Sequence, residues 1–206
     1  MNPHDRALSQ AAARGDESAV RAALAAGARV DARDEDLRTP LLRAALADHV
    51  GVARLLLAAG ADPNAPDARA DSPWLVTGVT GGVRMMRTLL AAGADLRQPN
   101  RFGGTALVPA AERGHTAYVR ALLAESDIDV DHVNRLGWTA LLEAVILGDG
   151  GPRHEEVVRL LLAAGADPER GDQDGVTPHA HAVRRGFTGI ARLLGPEVRA
   201  AAGRTS

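Results

Sequence analysis

Cysteine and lysine are both missing from this chain of 206 residues, and aromatic side chains make up only 2% of it. Without Cys there is no thiol nucleophile, no disulfide, no iron–sulfur cluster and no Cys-ligated zinc. Without Lys there is no Schiff-base amine and no phosphate-loop lysine, so all 24 basic residues are Arg. Five aromatics, Trp74, Phe102, Tyr118, Trp138 and Phe187, are too few for a base-stacking platform. Neither sign of charge dominates: a net charge of −2 and a pI of about 6.4 give no field suited to a phosphate backbone, and no nucleic-acid partner is expected. Apolar runs stop well short of the roughly 18–20 residues of a membrane span, so no membrane partner is expected either. The opening residues, Met1 to Arg6, lack the basic and then apolar regions of a secretory signal. A cytoplasmic monomer without cofactor or metal is the expectation.

What the chain does contain is repetition. Thr39-Pro40-Leu41, Ser72-Pro73-Trp74, Thr105-Ala106-Leu107, Thr139-Ala140-Leu141 and Thr177-Pro178-His179 recur at steps of 33, 33, 34 and 38 residues. A second phrase, Leu-Ala-Ala-Gly, ends at Gly27, Gly60, Gly93 and Gly165. These phrases and their beat resemble the ankyrin-repeat family, and six units cover nearly all of the chain. The resemblance implies an all-α ankyrin-repeat solenoid of helix-turn-helix units joined by β-turn tips. It implies a single domain over 1–195, with units at about 1–33, 34–66, 67–99, 100–133, 134–171 and 172–195, and a C-terminal tail over 196–206.

Each unit also makes physical sense by itself. A Thr side-chain oxygen caps the first helix, and Pro40 or Pro178 suits the first helical position. Small residues such as Ala44, Ala45, Ala110 and Ala111 let helices approach closely. After a glycine turn at Gly15, Gly81 or Gly114, the second helix carries an apolar stripe such as Val52, Leu55 and Leu56. A left-handed glycine then ends it, at Gly27, Gly60, Gly93 or Gly165. Stacked neighbours bury what one helix pair cannot, so terminal units should be atypical. Arg6 and Ala7 stand where inner units have Thr-Pro, and His179 replaces a core Leu.

Departures from the repeat carry the functional information. In the fifth unit 26 positions separate Thr139 from Gly165, against 21 between Thr39 and Gly60. The five extra residues, Gly148 to Pro152, form either a tolerated surface insertion or a binding loop. Trp74 occupies the Leu41 frame and reads as a core filler, with Gly78, Gly81 and Gly82 compensating its volume.

The resemblance implies partner binding by turn tips and by the exposed, concave-side ends of the first helices. Matched by repeat frame, the strongest candidates are Arg101, Phe102, Arg135, Leu136 and Trp138 on the tips, with Glu112, Arg113, Ile146 and Leu147 on the helices. Large apolar groups flanked by Arg are enriched in interface hot spots. The expected function is therefore a non-enzymatic protein–protein interaction module. The rival reading is a small-ligand or catalytic pocket between the fourth and fifth units, built from Glu112, His132, Asn134, Glu143, Asp149 and His154. Two carboxylates and a His can do acid–base work if enclosed. No H-E-x-x-H, G-x-S-x-G or phosphate-loop pattern supports an enzyme. The stretches from Asn100 to His115 and from Asp131 to His154 further resemble a block found in some small bacterial ankyrin proteins.

Overall fold

The computed structural model describes residues 1–195, so the tail expected over 196–206 lies outside the described residues. The described residues are helical, with no strand among them. They fall into two compact units, one formed by Met1–Arg101 and the other beginning at Phe102.

The first unit contains α1 (Pro3–Arg14), α2 (Glu17–Ala25), α3 (Pro40–Leu46), α4 (Val50–Ala58), α5 (Pro73–Thr80) and α6 (Val83–Ala91). The second contains α7 (Leu107–Glu112), α8 (Thr116–Glu125), α9 (Ala140–Ile146), α10 (Pro152–Ala163), α11 (Pro178–Arg184) and α12 (Thr188–Leu194). In each, first helices pack on first helices and second helices on second helices. The core of the first unit holds Leu41, Leu42, Leu56, Met85, Met86 and Leu89, and that of the second holds Leu107, Leu122, Leu141, Leu142, Val158 and Leu161, all essentially inaccessible to solvent. Trp74 is fully buried in the Leu41 frame, as expected, and its indole N–H is left without a hydrogen-bond partner.

Capping follows the repeat closely. The side-chain oxygens of Thr39, Ser72, Thr139 and Thr177 accept from the N–H groups of Leu42, Leu75, Leu142 and Ala180. Thr105 is the exception: α7 begins at Leu107, and the Thr105 hydroxyl is buried without a partner. Pro109 lies inside this six-residue helix. The N-terminal unit differs from expectation as well. Its cap is Asn2, whose side chain accepts from Asp5 N–H, and Pro3 takes the first helical position, ahead of the repeat frame. At the ends of the second helices Gly60 and Gly165 adopt φ of 90° and 92°, which only glycine reaches without strain.

Candidate functional site

Four turn tips are each built around one side chain. Asp34 Oδ1 accepts from the N–H groups of Asp36 (3.0 Å) and Arg38 (2.9 Å). Asp67, Asn134 and Asp172 repeat the same two bonds to the residues two and four positions on. In three of these tips the other polar atom of the same side chain reaches nine residues forward onto the first helix. Asp34 Oδ2 takes Arg43 Nε at 2.8 Å, and Asp172 Oδ2 lies 2.7 Å from His181 Nε2. Asn134 Nδ2 donates to Glu143 Oε1 at 2.6 Å. Three tips are thus braced to their own helices by one recurring contact, which the sequence reading had not singled out. The signal was present as a polar pair at constant spacing.

The brace in the fifth repeat has its polarity inverted. In Asp34–Arg43 the carboxylate faces a permanent cation, whereas Asn134 brings only an amide to Glu143. Glu143 is only 7% exposed. Burial pushes its carboxyl up to about 7, the charge of Glu112 adds to the effect, and the bond from Asn134 opposes it. A proton held near neutrality is what acid–base catalysis needs, but here the carboxyl is occupied in holding the tip.

The remaining residues of the pocket reading separate into two further sets. His132 Nε2 lies 2.6 Å from the Gly103 carbonyl oxygen and ties the approach of the fifth tip to the fourth. His154 is buried at the start of α10, with Nδ1 2.7 Å from Asp149 Oδ1 and Nε2 2.8 Å from the Glu112 carbonyl. Hydrogen bonds from Gly151 N–H and from His154 hold the Asp149 carboxyl below the usual carboxylate range. His154 therefore fastens the inserted segment to the fourth repeat.

That insertion is packed from its other side too. Arg185 donates to the carbonyls of Ile146 and of Gly148, the latter at 3.1 Å. Its guanidinium stacks over the Phe187 ring, 4.6 Å from the centroid. Gly150 has φ of 71°, and a Cβ there would come within 2.3 Å of Phe187. The segment is thus held between His154 and the sixth repeat.

The tips present a different surface. Phe102 and Leu136 are 53% and 50% exposed, and their tips are joined by Arg135 N–H donating to the Phe102 carbonyl at 2.9 Å. Leu147 is 50% exposed at the end of α9. Arg113 and Arg135 are exposed, while Glu112 and Ile146 are half-buried. Trp138 is half-buried too, and so less displayed than the sequence suggested. Its backbone closes the tip turn with Asn134, the frame in which Arg38, Asp71 and Val176 are also half-buried. Arg101 belongs to the first unit and pairs with Asp71 at 3.4 Å.

Capped helix pairs, glycine-terminated second helices and side-chain-built tips at this beat define the class: the chain belongs to the ankyrin-repeat family. The family model for ankyrin repeats, in 3 copies, matches residues 2–67 and 78–172. Over 94 residues the chain is 50% identical to the ankyrin repeat protein YahD of Escherichia coli (strain K12), covering 46% of this chain and 47% of that protein. The match thus spans about half the length of this curated relative. Among solved structures, an ankyrin repeat domain from Acinetobacter baumannii AYE is 49% identical, with a TM-score of 0.85 over 91% of this chain and 95% of that one. The ankyrin repeat protein EF0377 is 36% identical, with a TM-score of 0.87 over 92% of this chain and 96% of its own. Proteins of this family are generally protein–protein interaction modules and generally non-enzymatic. No helix among the described residues is long and apolar enough to cross a membrane.

Proposed function

We propose that this chain is a non-enzymatic docking module for a cytoplasmic protein partner, held by the second unit through its tips and first-helix ends. The observation that carries the reading is the exposure of Phe102 and Leu136 on tips joined to each other by a backbone hydrogen bond. Rigid display lowers the ordering cost of binding, and a large apolar anchor between guanidinium groups suits an interface core. Leu147 extends the apolar surface, with Arg113 and Arg135 as polar neighbours. Neither Phe102 nor Leu136 contributes to the core.

The test is a paired capture from the native host, using the wild-type chain and the Phe102→Ala/Leu136→Ala variant as bait. The variant should keep its helical circular dichroism and lose the partner, since anchors of this kind each cost 2 kcal/mol or more, up to about 4. A partner retained by the variant at unchanged affinity refutes the assignment of the tips. The acid–base alternative has one observation in its favour, the elevated carboxyl of Glu143. Its tip-bracing bond accounts for that residue without a reaction, and Glu143→Gln separates the two roles.

A further inference from the structure

Away from the tips, two arginines on the outer helices of the first unit, Arg54 on α4 and Arg84 on α6, are exposed to solvent. An open cleft of about 560 Å³ lies between α4 and α6. Its polar walls are Arg54 from α4 and Arg84, Arg87 and Thr88 from α6, and Leu57, Ala91 and Ala92 supply its apolar surface. The spacing explains the convergence: Arg84 and Arg87 are one helical turn apart on a single face, and Arg54 and Leu57 are likewise one turn apart on the facing helix. Neither α4 nor α6 contains an acidic residue. Neither Arg54 nor Arg84 has an ion-pair partner among the described residues. The outer helices of the second unit show the contrast. There Arg120 pairs with Glu156, and Arg159 with Glu155 and Glu156.

Like charges gathered on facing helices repel one another and weaken the packing they sit on. An anion relieves that repulsion, and the chemistry of the walls says which kind. Two unpaired guanidiniums call for a charge of about −2, and a phosphate monoester supplies it together with three acceptor oxygens. The guanidinium fork donates two parallel hydrogen bonds to such a group. A single carboxylate offers half the charge and two oxygens on one side only. The cleft is larger than a phosphate ion, falls within the roughly 300–1,000 Å³ of ligand sites, and leaves room for an organic body.

The geometry points to a binding site for a small phosphate monoester in this cleft, its phosphoryl group held by Arg54 and Arg84 and its organic body over Leu57, Ala91 and Ala92. The site is separate from the tip surface, and binding there does not depend on a protein partner.

Isothermal titration of the full chain with phenyl phosphate tests it, with inorganic phosphate and phthalate as comparisons. Phenyl phosphate should bind at one site per chain, more tightly than inorganic phosphate because of its apolar ring. It should also bind more tightly than phthalate, which matches its charge but not its tetrahedral oxygens. Arg54→Gln/Arg84→Gln should weaken it by about tenfold or more, as expected when charge-assisted bonds to an anion are lost. Arg120→Gln, on the other unit, should leave it unchanged. The double variant alone should melt no lower than the wild type, because both side chains are exposed and removing them relieves repulsion. Non-saturable binding overturns the proposal, as does equal affinity for phthalate or full affinity in the double variant.

Discussion

Glu143→Gln is the most informative single substitution in the molecule. Glu143 is buried against Asn134, and its carboxyl sits at about 7 in place of the ordinary 4.5. The folded state thus holds a proton that the unfolded chain releases at lower pH. Stability is then fully present below about pH 4.5 and declines as pH rises toward about 7. A displacement of that size corresponds to about 3 kcal/mol, all of it lost by about pH 8. Glutamine keeps the shape, accepts the Asn134 bond through its amide oxygen, and carries no charge to desolvate. Urea melts of wild type and variant should therefore nearly coincide at about pH 4.5, while at about pH 8 the variant should be more stable by up to about 3 kcal/mol. A variant less stable than wild type at both values, by the same amount, would refute the buried-charge account. It would mean that Glu143 contributes an ionised hydrogen bond at all pH.

Other expectations are more local. Leu56→Ala in α4 should cost about 2–5 kcal/mol in denaturant melts, as other buried Leu truncations do, whereas exposed Glu35→Ala should stay within about 0.5 kcal/mol. Gly150→Ala should destabilise by about 1 kcal/mol or more, through its left-handed backbone and the collision with Phe187. Combining it with Phe187→Ala should recover part of that loss in a double-mutant cycle, and strict additivity would show that the two do not touch. On the acid side, Asp34 and Asp172 are held below the usual carboxylate range by hydrogen bonds and by Arg43 and His181. Their contribution is present above the unfolded carboxyl values and is lost as pH falls through the depressed ones, so acid titration should loosen the second and sixth tips.

The regular part of this fold is readable because each repeat states its own boundaries. Thr39, Thr139 and Thr177 cap where their spacing says, and Gly60 and Gly165 turn left-handed where a helix must end. Trp74 is legible by its frame alone. Thr105 is not: it matches the capping phrase, yet the helix starts later and Pro109 intrudes. Site residues were harder, since function there depends on which of two neighbours a side chain meets. The sequence offers Glu143 and His154 only as members of a pocket, and their partners emerge from the fold alone: the 2.6 Å bond from Asn134 and the 2.8 Å contact with the Glu112 carbonyl. Exposure at the tips follows the frame for Phe102 and Leu136, while Trp138 shows that two positions further along the same turn already lead toward the interior.

The way Arg185 and Phe187 close over the inserted segment bears on how such a chain can be cut or recombined. A regular solenoid repeat contacts only its neighbours, so one such unit can in principle be exchanged for another. Here the sixth repeat is fitted to an irregularity of its predecessor: Phe187 occupies the space beside Gly150, and Arg185 donates to the carbonyls of Ile146 and Gly148. Replacing the sixth repeat by a generic one after residue 171 would remove both bonds from Arg185 and the Phe187 ring that packs on Gly150. Insertion and sixth repeat are therefore matched to each other, and a recombined chain keeps that match only if both are moved together.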